Sequence, residues 1–125
     1  YGGADESPVD PAEFAPPGGL FVVGFADGEP VASGGFRRHT EDVAEIKRMY
    51  VAPEARGRGV GRAVLAALEA EGLRLGVSRI VLETGERQLE ALALYASAGF
   101  DRIPLFGEYI GSPLSVCMVK ELGRS

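Results

Sequence analysis

The sequence has few of the residues on which several common classes of protein depend. Its 125 residues include one cysteine and one histidine. A single cysteine, Cys117, excludes an internal disulfide, which suits a reducing compartment and predicts a cytoplasmic protein. A single histidine, His39, argues against a metal site built from histidines, and we expect no metal. His39 itself lies between two predicted strands, where we expect an exposed turn residue.

Long apolar runs and a large excess of basic charge are also missing. No stretch approaches the ~20 apolar residues that span a bilayer, and we expect no membrane partner. The net charge of −5 argues against nucleic acid as a partner and is mildly favourable for a cationic acceptor such as an amine. A length of 125 residues with 46% hydrophobic content is enough for one domain with a moderate core.

The pattern of apolar residues predicts a single α/β domain over residues 20–122. Residues 1–19 are rich in proline, glycine and acidic residues, which is typical of an extended lead-in. Short apolar runs predict strands at 20–26, 30–38, 43–51, 78–84, 100–103 and 114–120, with Gly34 and Gly35 marking a bulge. Helices are predicted from about 63 to 75 and over 88–98. A helix between the third and fourth strands makes those two strands a parallel pair.

The most informative stretch is residues 56–62, Arg-Gly-Arg-Gly-Val-Gly-Arg, which opens the first helix. A helix start leaves N–H groups unpaired and carries partial positive charge, and glycines let an anion approach the backbone closely. The stretch therefore predicts a phosphate or pyrophosphate site. A P-loop is excluded because no Lys-Ser or Lys-Thr follows. A dinucleotide fingerprint is excluded because its third glycine would fall at Arg62.

Two motifs together resemble the GCN5-related N-acetyltransferase (GNAT) superfamily. Arg56, Gly59 and Gly61 fill the fixed positions of its Arg/Gln-x-x-Gly-x-Gly/Ala signature. Residues 88–100 are similar to its Asn-x-x-Ala-x-x-Leu-Tyr-x-x-x-Gly-Phe helix, with matches at Ala91, Leu94, Tyr95, Gly99 and Phe100. Gln88 stands where asparagine is usual. By this resemblance Tyr95 is the general acid, whereas the amphipathic helix alone favours a core aromatic.

A third stretch, residues 44–51, is similar to the strand that precedes the cofactor loop in this superfamily. In the histone-modifying branch an Ala-Glu-Ile/Val strand supplies the general base, which corresponds to Glu45 here. The alternative is that Glu45 is a solvated strand residue. Glu83 is a second candidate for the base, Tyr109 either closes over an acceptor or packs in its loop, and Cys117 is expected to be a small core residue.

The resemblance implies a mixed, mostly antiparallel sheet whose third and fourth strands splay apart to hold acetyl-CoA. The family's leading strand and two helices are not found before residue 20, so we expect the given chain to be incomplete. The cofactor-binding residues implied are Met49, Tyr50, Val51, Arg56, Gly57, Arg58, Gly59, Val60, Gly61, Arg62, Gln88 and Tyr95.

The function implied is acetyl-CoA-dependent transfer of an acetyl group directly to the amine of a small molecule or amino acid. One alternative is a protein or peptide N-acetyltransferase with the same chemistry. Another is an acyl-CoA-binding regulatory module without turnover. The sequence leaves the acceptor undefined and leaves open whether the protein forms a homodimer.

Overall fold

The computed structural model describes residues 18–122, which form a six-stranded sheet and two α-helices. The strands are β1 Gly19–Ala26, β2 Glu29–Arg38, β3 Val43–Val51, β4 Arg79–Gly85, β5 Asp101–Ile103 and β6 Ser115–Glu121. The helices are α1 Val60–Arg74 and α2 Leu89–Ser97, and short 3₁₀ turns lie at Pro53–Ala55 and Gly107–Tyr109. Residues 1–17 of the predicted lead-in lie outside the described residues, while Gly19 already belongs to β1.

The sheet has the order β1-β2-β3-β4-β6-β5, and its neighbouring strands are antiparallel except for β3 and β4. The parallel pair is the one predicted from the intervening helix. Its ladder joins only Val43–Glu45 to Arg79–Val81, although both strands continue beyond those residues. The two strands therefore part after Glu45 and Val81, which confirms the predicted splay and the mixed α/β fold.

A bulge in the β2–β3 pair confirms the predicted irregularity at the two glycines. Ser33 pairs with Tyr50 and Gly35 with Lys47, so two residues of β3 oppose Gly34 alone. One of them, Arg48, has a positive φ of 60°. The sulfur of Met49 packs directly over Gly34 and would overlap a side chain there, which is why the strand carries glycine at this point.

Both helices pack on one face of the sheet, which we call the helix face. Apolar residues of α1 are buried there, with Val64, Leu65 and Leu68 almost wholly inaccessible. Burial of a leucine of this kind stabilises the fold by about 1.5–3 kcal/mol. The helix begins at Val60 rather than near residue 63, because Gly59 with a φ of 81° already serves as its N-cap. Within residues 18–122 neither helix is long and apolar enough to cross a membrane.

The opposite side of the sheet, which we call the second face, carries polar residues at its centre. Directly paired residues point to the same side of a sheet, and Glu45 pairs with Arg37 while Lys47 pairs with Gly35. Glu45 and Lys47 therefore share a face, and the bulge brings Tyr50 onto it as well. The loop that contains the Gly107–Tyr109 turn lies over this face, since Tyr109 contacts both Glu45 and Lys47.

Candidate active site

A cleft of about 430 Å³ opens where β3 ends and α1 begins. Most of the residues predicted to bind a cofactor line it: Met49, Tyr50, Val51, Arg56, Gly57, Gly59, Val60, Gly61, Arg62 and Tyr95. Two do not: Arg58 lies outside the lining, and Gln88 precedes α2 without forming a side-chain cap bond. Met49 belongs to the helix face and Tyr50 to the second face. The cleft therefore reaches the gap where β3 and β4 part.

The Gly-rich turn gives the cleft an exposed stretch of backbone. Gly57 and Gly59 have φ values of 79° and 81°, and a Cβ at either position would meet no described atom within 4 Å. The first N–H groups of α1 follow at once, and such groups have no partner within the helix. A helix start with open space before it is suited to phosphate oxygens.

Arginine side chains add positive charge at the same end of the cleft. The Nη1 of Arg56 lies 3.1 Å from the Oε1 of Glu90, across the cleft on the first turn of α2. Among residues 18–122, the Nε of Arg56 is one of two buried side-chain polar atoms that have no hydrogen-bond partner, the other being the hydroxyl of Thr84. Arg62 donates to the hydroxyl of Ser97 at 3.2 Å. The donors fit a pyrophosphate group.

Tyr95 lies on α2 with its ring turned into the core and its surface lining the cleft. Only 3% of the residue is exposed, and its ring meets the edge of Phe100 at a centroid distance of 5.8 Å. Tyr95 is therefore packed as a core aromatic, and it also borders the cleft, as a general acid would. Its position allows a donor hydroxyl near the inner end of the cleft, and its catalytic role stays a prediction.

Glu45 is 1% exposed, so the alternative of a solvated strand residue is wrong. Its Oε1 lies 2.7 Å from the Nε2 of His39 and 3.5 Å from an Nη of Arg37. Its Oε2 accepts a hydrogen bond from the hydroxyl of Tyr109 at 2.8 Å. A buried carboxylate is costly unless it is paired in this way. His39 lies in the turn and is exposed, as predicted, but it is also a partner of the candidate base.

Lys47 and Tyr109 are polar residues of the second face that the sequence reasoning missed or ranked low. Lys47 is 2% exposed, and its Nζ donates to the hydroxyl of Tyr109 at 2.8 Å and to Glu108 at 3.5 Å. Tyr109 is 7% exposed and bridges Lys47 to Glu45. A lysine two residues after a candidate catalytic glutamate on one strand lies on the same face. That spacing was the available signal.

The other two candidates lie beside the same face. Glu83, on β4, accepts a hydrogen bond from the hydroxyl of Ser115 at 2.7 Å. Cys117 pairs with Glu83 in the sheet and is buried, as expected of a small core residue. Burial raises the pKa of the Cys117 thiol, and the carboxylates of Glu83 and Glu45 raise it further. A thiol kept neutral in this way is a poor nucleophile.

The fold and the cleft together define a class of protein. Two parallel strands that part beside a helix with a Gly- and Arg-rich start provide a gap for an extended chain and a donor-lined end for a pyrophosphate. Coenzyme A thioesters have both parts. The architecture is that of an acyltransferase that takes its acyl group from coenzyme A.

Comparison with known proteins identifies the family. Residues 2–100 match the acetyltransferase (GNAT) family, and the chain belongs to it. An IAA acetyltransferase from Azospirillum brasilense is 41% identical over 116 residues, which cover 91% of this chain and 75% of that protein. Other curated relatives are covered less fully, and the chain spans 56% of an uncharacterized N-acetyltransferase of Escherichia coli.

Solved structures agree with this assignment. A crystal structure assigned as an acyl-CoA N-acyltransferase of Klebsiella pneumoniae superposes with a TM-score of 0.85 at 34% identity, covering 92% of this chain and 80% of that one. A GNAT acetyltransferase of Elizabethkingia anophelis, solved with acetyl-CoA bound, shares the fold with a TM-score of 0.71 at 19% identity over 84% of this chain and 77% of that one. Acetyl-CoA is the cofactor of the family.

Proposed function

We propose that this protein transfers the acetyl group of acetyl-CoA directly to the amine of a small molecule or an amino acid. One observation carries the proposal. The donor-lined cleft reaches the gap between β3 and β4, and the second face beside that gap holds a buried, hydrogen-bonded carboxylate. This arrangement supports a thioester site and a candidate base on two sides of one opening in the sheet.

The residues of the cleft would hold acetyl-CoA as follows. The backbone of residues 57–61 and the side chains of Arg56 and Arg62 would bind the pyrophosphate. The edge of Met49–Val51 on the side of β4, which lies beyond the β3–β4 ladder, would hydrogen-bond the pantetheine arm. When bound, the cofactor supplies an activated acyl group. The protein supplies position, since holding two reactants in contact removes much of the entropic cost of the reaction.

The proton balance of the reaction defines two further roles. A lysine-type alkylammonium has a pKa near ~10.4 and is mostly protonated at neutral pH. Between the ammonium and the product amide two protons leave the nitrogen, and its electron pair forms the new bond to the acetyl carbon. The C–S bond breaks with its electrons on sulfur. One proton ends on that thiolate, and the other must reach solvent.

Glu45 and Tyr95 are the residues to which we assign these protons. Glu45, directly or through water, would take a proton from the ammonium, and its negative charge would also attract that cation. Tyr95 would hydrogen-bond the leaving sulfur and protonate it, because a bare thiolate in a partly dry site is costly. Glu83 remains the alternative base.

The burial of the second face favours a small acceptor over a polypeptide. Tyr109 lies over Glu45 and Lys47, and all three residues are less than 8% exposed. An extended peptide would need a groove that leads to Glu45, whereas a small amine needs only a short opening. This difference supports the small-molecule form of the proposal.

The test is release of free coenzyme A thiol from acetyl-CoA across a panel of amines. The panel holds free amino acids, aliphatic amines such as spermidine, and short peptides with a free amino terminus. Turnover that is selective for amino acids or small amines is expected. Selective turnover of the peptides would favour the protein or peptide alternative. Tight acetyl-CoA binding without turnover of any amine would contradict the proposal and favour a binding module.

A further inference from the structure

Four side chains on the second face form a continuous hydrogen-bonded chain that ends at the protein surface. Lys47 Nζ donates to the Tyr109 hydroxyl at 2.8 Å, and that hydroxyl donates to Glu45 Oε2 at 2.8 Å. Glu45 Oε1 lies 2.7 Å from His39 Nε2. The first three residues are buried, while the side chain of His39 is 39% exposed.

The chemistry of acetyl transfer requires a path of this kind. One proton per turnover must leave the site for solvent, and Glu45 is 1% exposed. A buried carboxylate that accepts a proton cannot act again until the proton has gone. His39 is the partner of Glu45 that opens to water, since it lines a shallow surface depression together with Arg38, Glu41 and Asp42.

We propose that His39 is the outlet of a proton relay that carries the proton of the acceptor amine from Glu45 to solvent. The inference rests on the proposed function, in which Glu45 is the base. The amine N–H bond breaks and the proton forms an O–H bond on Glu45. That proton passes to Nε2 of His39, the imidazolium releases its Nδ1 proton to water or buffer, and exchange of the ring proton through solvent then frees Nε2 for the next turnover. Glu45 is left as the carboxylate, and no oxidation or reduction occurs.

Histidine is suited to this step because it changes charge near neutral pH and has two separate nitrogens. The rings of Phe106 and His39 are nearly perpendicular, with their centroids 6.5 Å apart, so an aromatic side chain packs beside the imidazole. Charged and titratable groups that face Glu45 also influence proton transfer from it through their electrostatic interactions. On the described elements these include Arg37, His39, Lys47, Glu83, Tyr109 and Cys117, and Glu108 lies beside Lys47.

Arg37 provides a matched control, because it contacts the same Glu45 oxygen at 3.5 Å but stays protonated and cannot accept a proton. The comparison is between His39→Gln and Arg37→Gln, with Glu45→Gln as the reference for loss of the base. Turnover is measured with the panel amine that the wild type acetylates fastest, at low buffer concentration and with increasing imidazole. Circular dichroism and acetyl-CoA affinity confirm that each variant is folded.

In His39→Gln we expect turnover to fall by about 10²-fold or more at low buffer, within the range of a lost proton-transfer group. Added imidazole should restore most of that rate, while it should leave the wild type and Arg37→Gln unchanged. A His39→Gln enzyme with wild-type turnover, or one whose loss imidazole does not reverse, would show that His39 only pairs Glu45 structurally. If Glu45→Gln itself keeps its rate, the assignment of the base fails, which is a separate result.

The chain has one histidine, so the geometry of the relay has a readout that does not depend on turnover. The imidazole ¹⁵N resonances in an NMR spectrum belong to His39 alone. They should shift in Glu45→Gln and move much less in Glu108→Gln, whose carboxylate accepts a hydrogen bond from Lys47. Unchanged resonances in Glu45→Gln would remove the contact on which the relay depends.

Discussion

Replacement of Gly59 by alanine isolates the role of the Gly-rich turn. Gly59 is the N-cap of α1 with a φ of 81°, and a Cβ there would point into open space beside the cleft. Gly76 follows the other end of the same helix, has a φ of 92°, and also meets nothing within 4 Å. The two glycines share a backbone conformation and an open environment. They differ in that Gly59 lines the cleft, while Gly76 lies about 22 Å away along the helix.

The two substitutions should therefore cost the same stability and differ in binding. A left-handed conformation costs a residue with a Cβ roughly 1–2 kcal/mol, so each variant should unfold roughly 3–10 °C below the wild type. At Gly59 the methyl group would also occupy the proposed place of a phosphate oxygen. Loss of one hydrogen bond to a charged group costs about 1.5–3 kcal/mol, which weakens acetyl-CoA binding by roughly 10- to 150-fold.

Calorimetric titration with acetyl-CoA and with S-acetylpantetheine, which lacks the pyrophosphate, tests this reasoning. Gly59→Ala should lose affinity for acetyl-CoA but not for the fragment, and Gly76→Ala should bind both as the wild type does. Equal acetyl-CoA affinity in the two variants would refute the phosphate cradle. A parallel loss for the fragment would mean that the substitution distorts the whole cleft.

Three further predictions concern single residues of the site. Tyr95→Phe should lower turnover by ~10²-fold with little change in acetyl-CoA affinity, whereas a loss of thermal stability alone would make Tyr95 a core aromatic. Glu90→Gln should tighten acetyl-CoA binding by about 2- to 5-fold in calorimetry, because an exposed ion pair of up to ~1 kcal/mol no longer competes for Arg56; unchanged or weaker binding would contradict this. Because burial raises the pKa of Cys117, its neutral thiol stabilises the fold below the unfolded pKa of about 8.5, and this contribution is lost as pH rises above it. The urea midpoint should therefore fall further between pH 7 and pH 10 in the wild type than in Cys117→Ala. An equal fall in the two proteins would show that the thiol titrates alike in the folded and unfolded states.

Much of the fold could be predicted because local signals agree with the tertiary structure. The six strands lie within a residue or two of their predicted bounds, and the parallel pairing of β3 and β4 follows from the helix between them. The sequence predicts too late a start for α1, since glycine has poor helix propensity while the turn it forms caps the helix. Helix propensity describes a residue in the interior of a helix, whereas capping depends on the residue at the helix end, here Gly59.

The cleft could be predicted further than the second face. The residues of the Gly-rich turn are neighbours in sequence, so a motif reports their arrangement directly, and most of them line the cleft. The partners of Glu45 come from separate parts of the chain. Tyr109 lies 64 positions away, and its contact depends on how one loop folds over the sheet. No local pattern encodes that contact, which is why the sequence leaves the role of Tyr109 open and gives Lys47 no role.

The bulge in β3 explains how one strand serves both sides of the site. Along a regular strand, side chains alternate, so Glu45 and Lys47 would share a face with Met49, while Tyr50 would point to the helices. The extra residue at the bulge inverts that pattern after Lys47: Met49 turns into the core over Gly34, and Tyr50 joins the second face. The candidate base then precedes the bulge, while the backbone assigned to the pantetheine arm follows it, where β4 has already moved away. A strand without the bulge would keep its period, so Met49 would leave the core over Gly34 and share the face of Glu45, while Tyr50 would point to the helices.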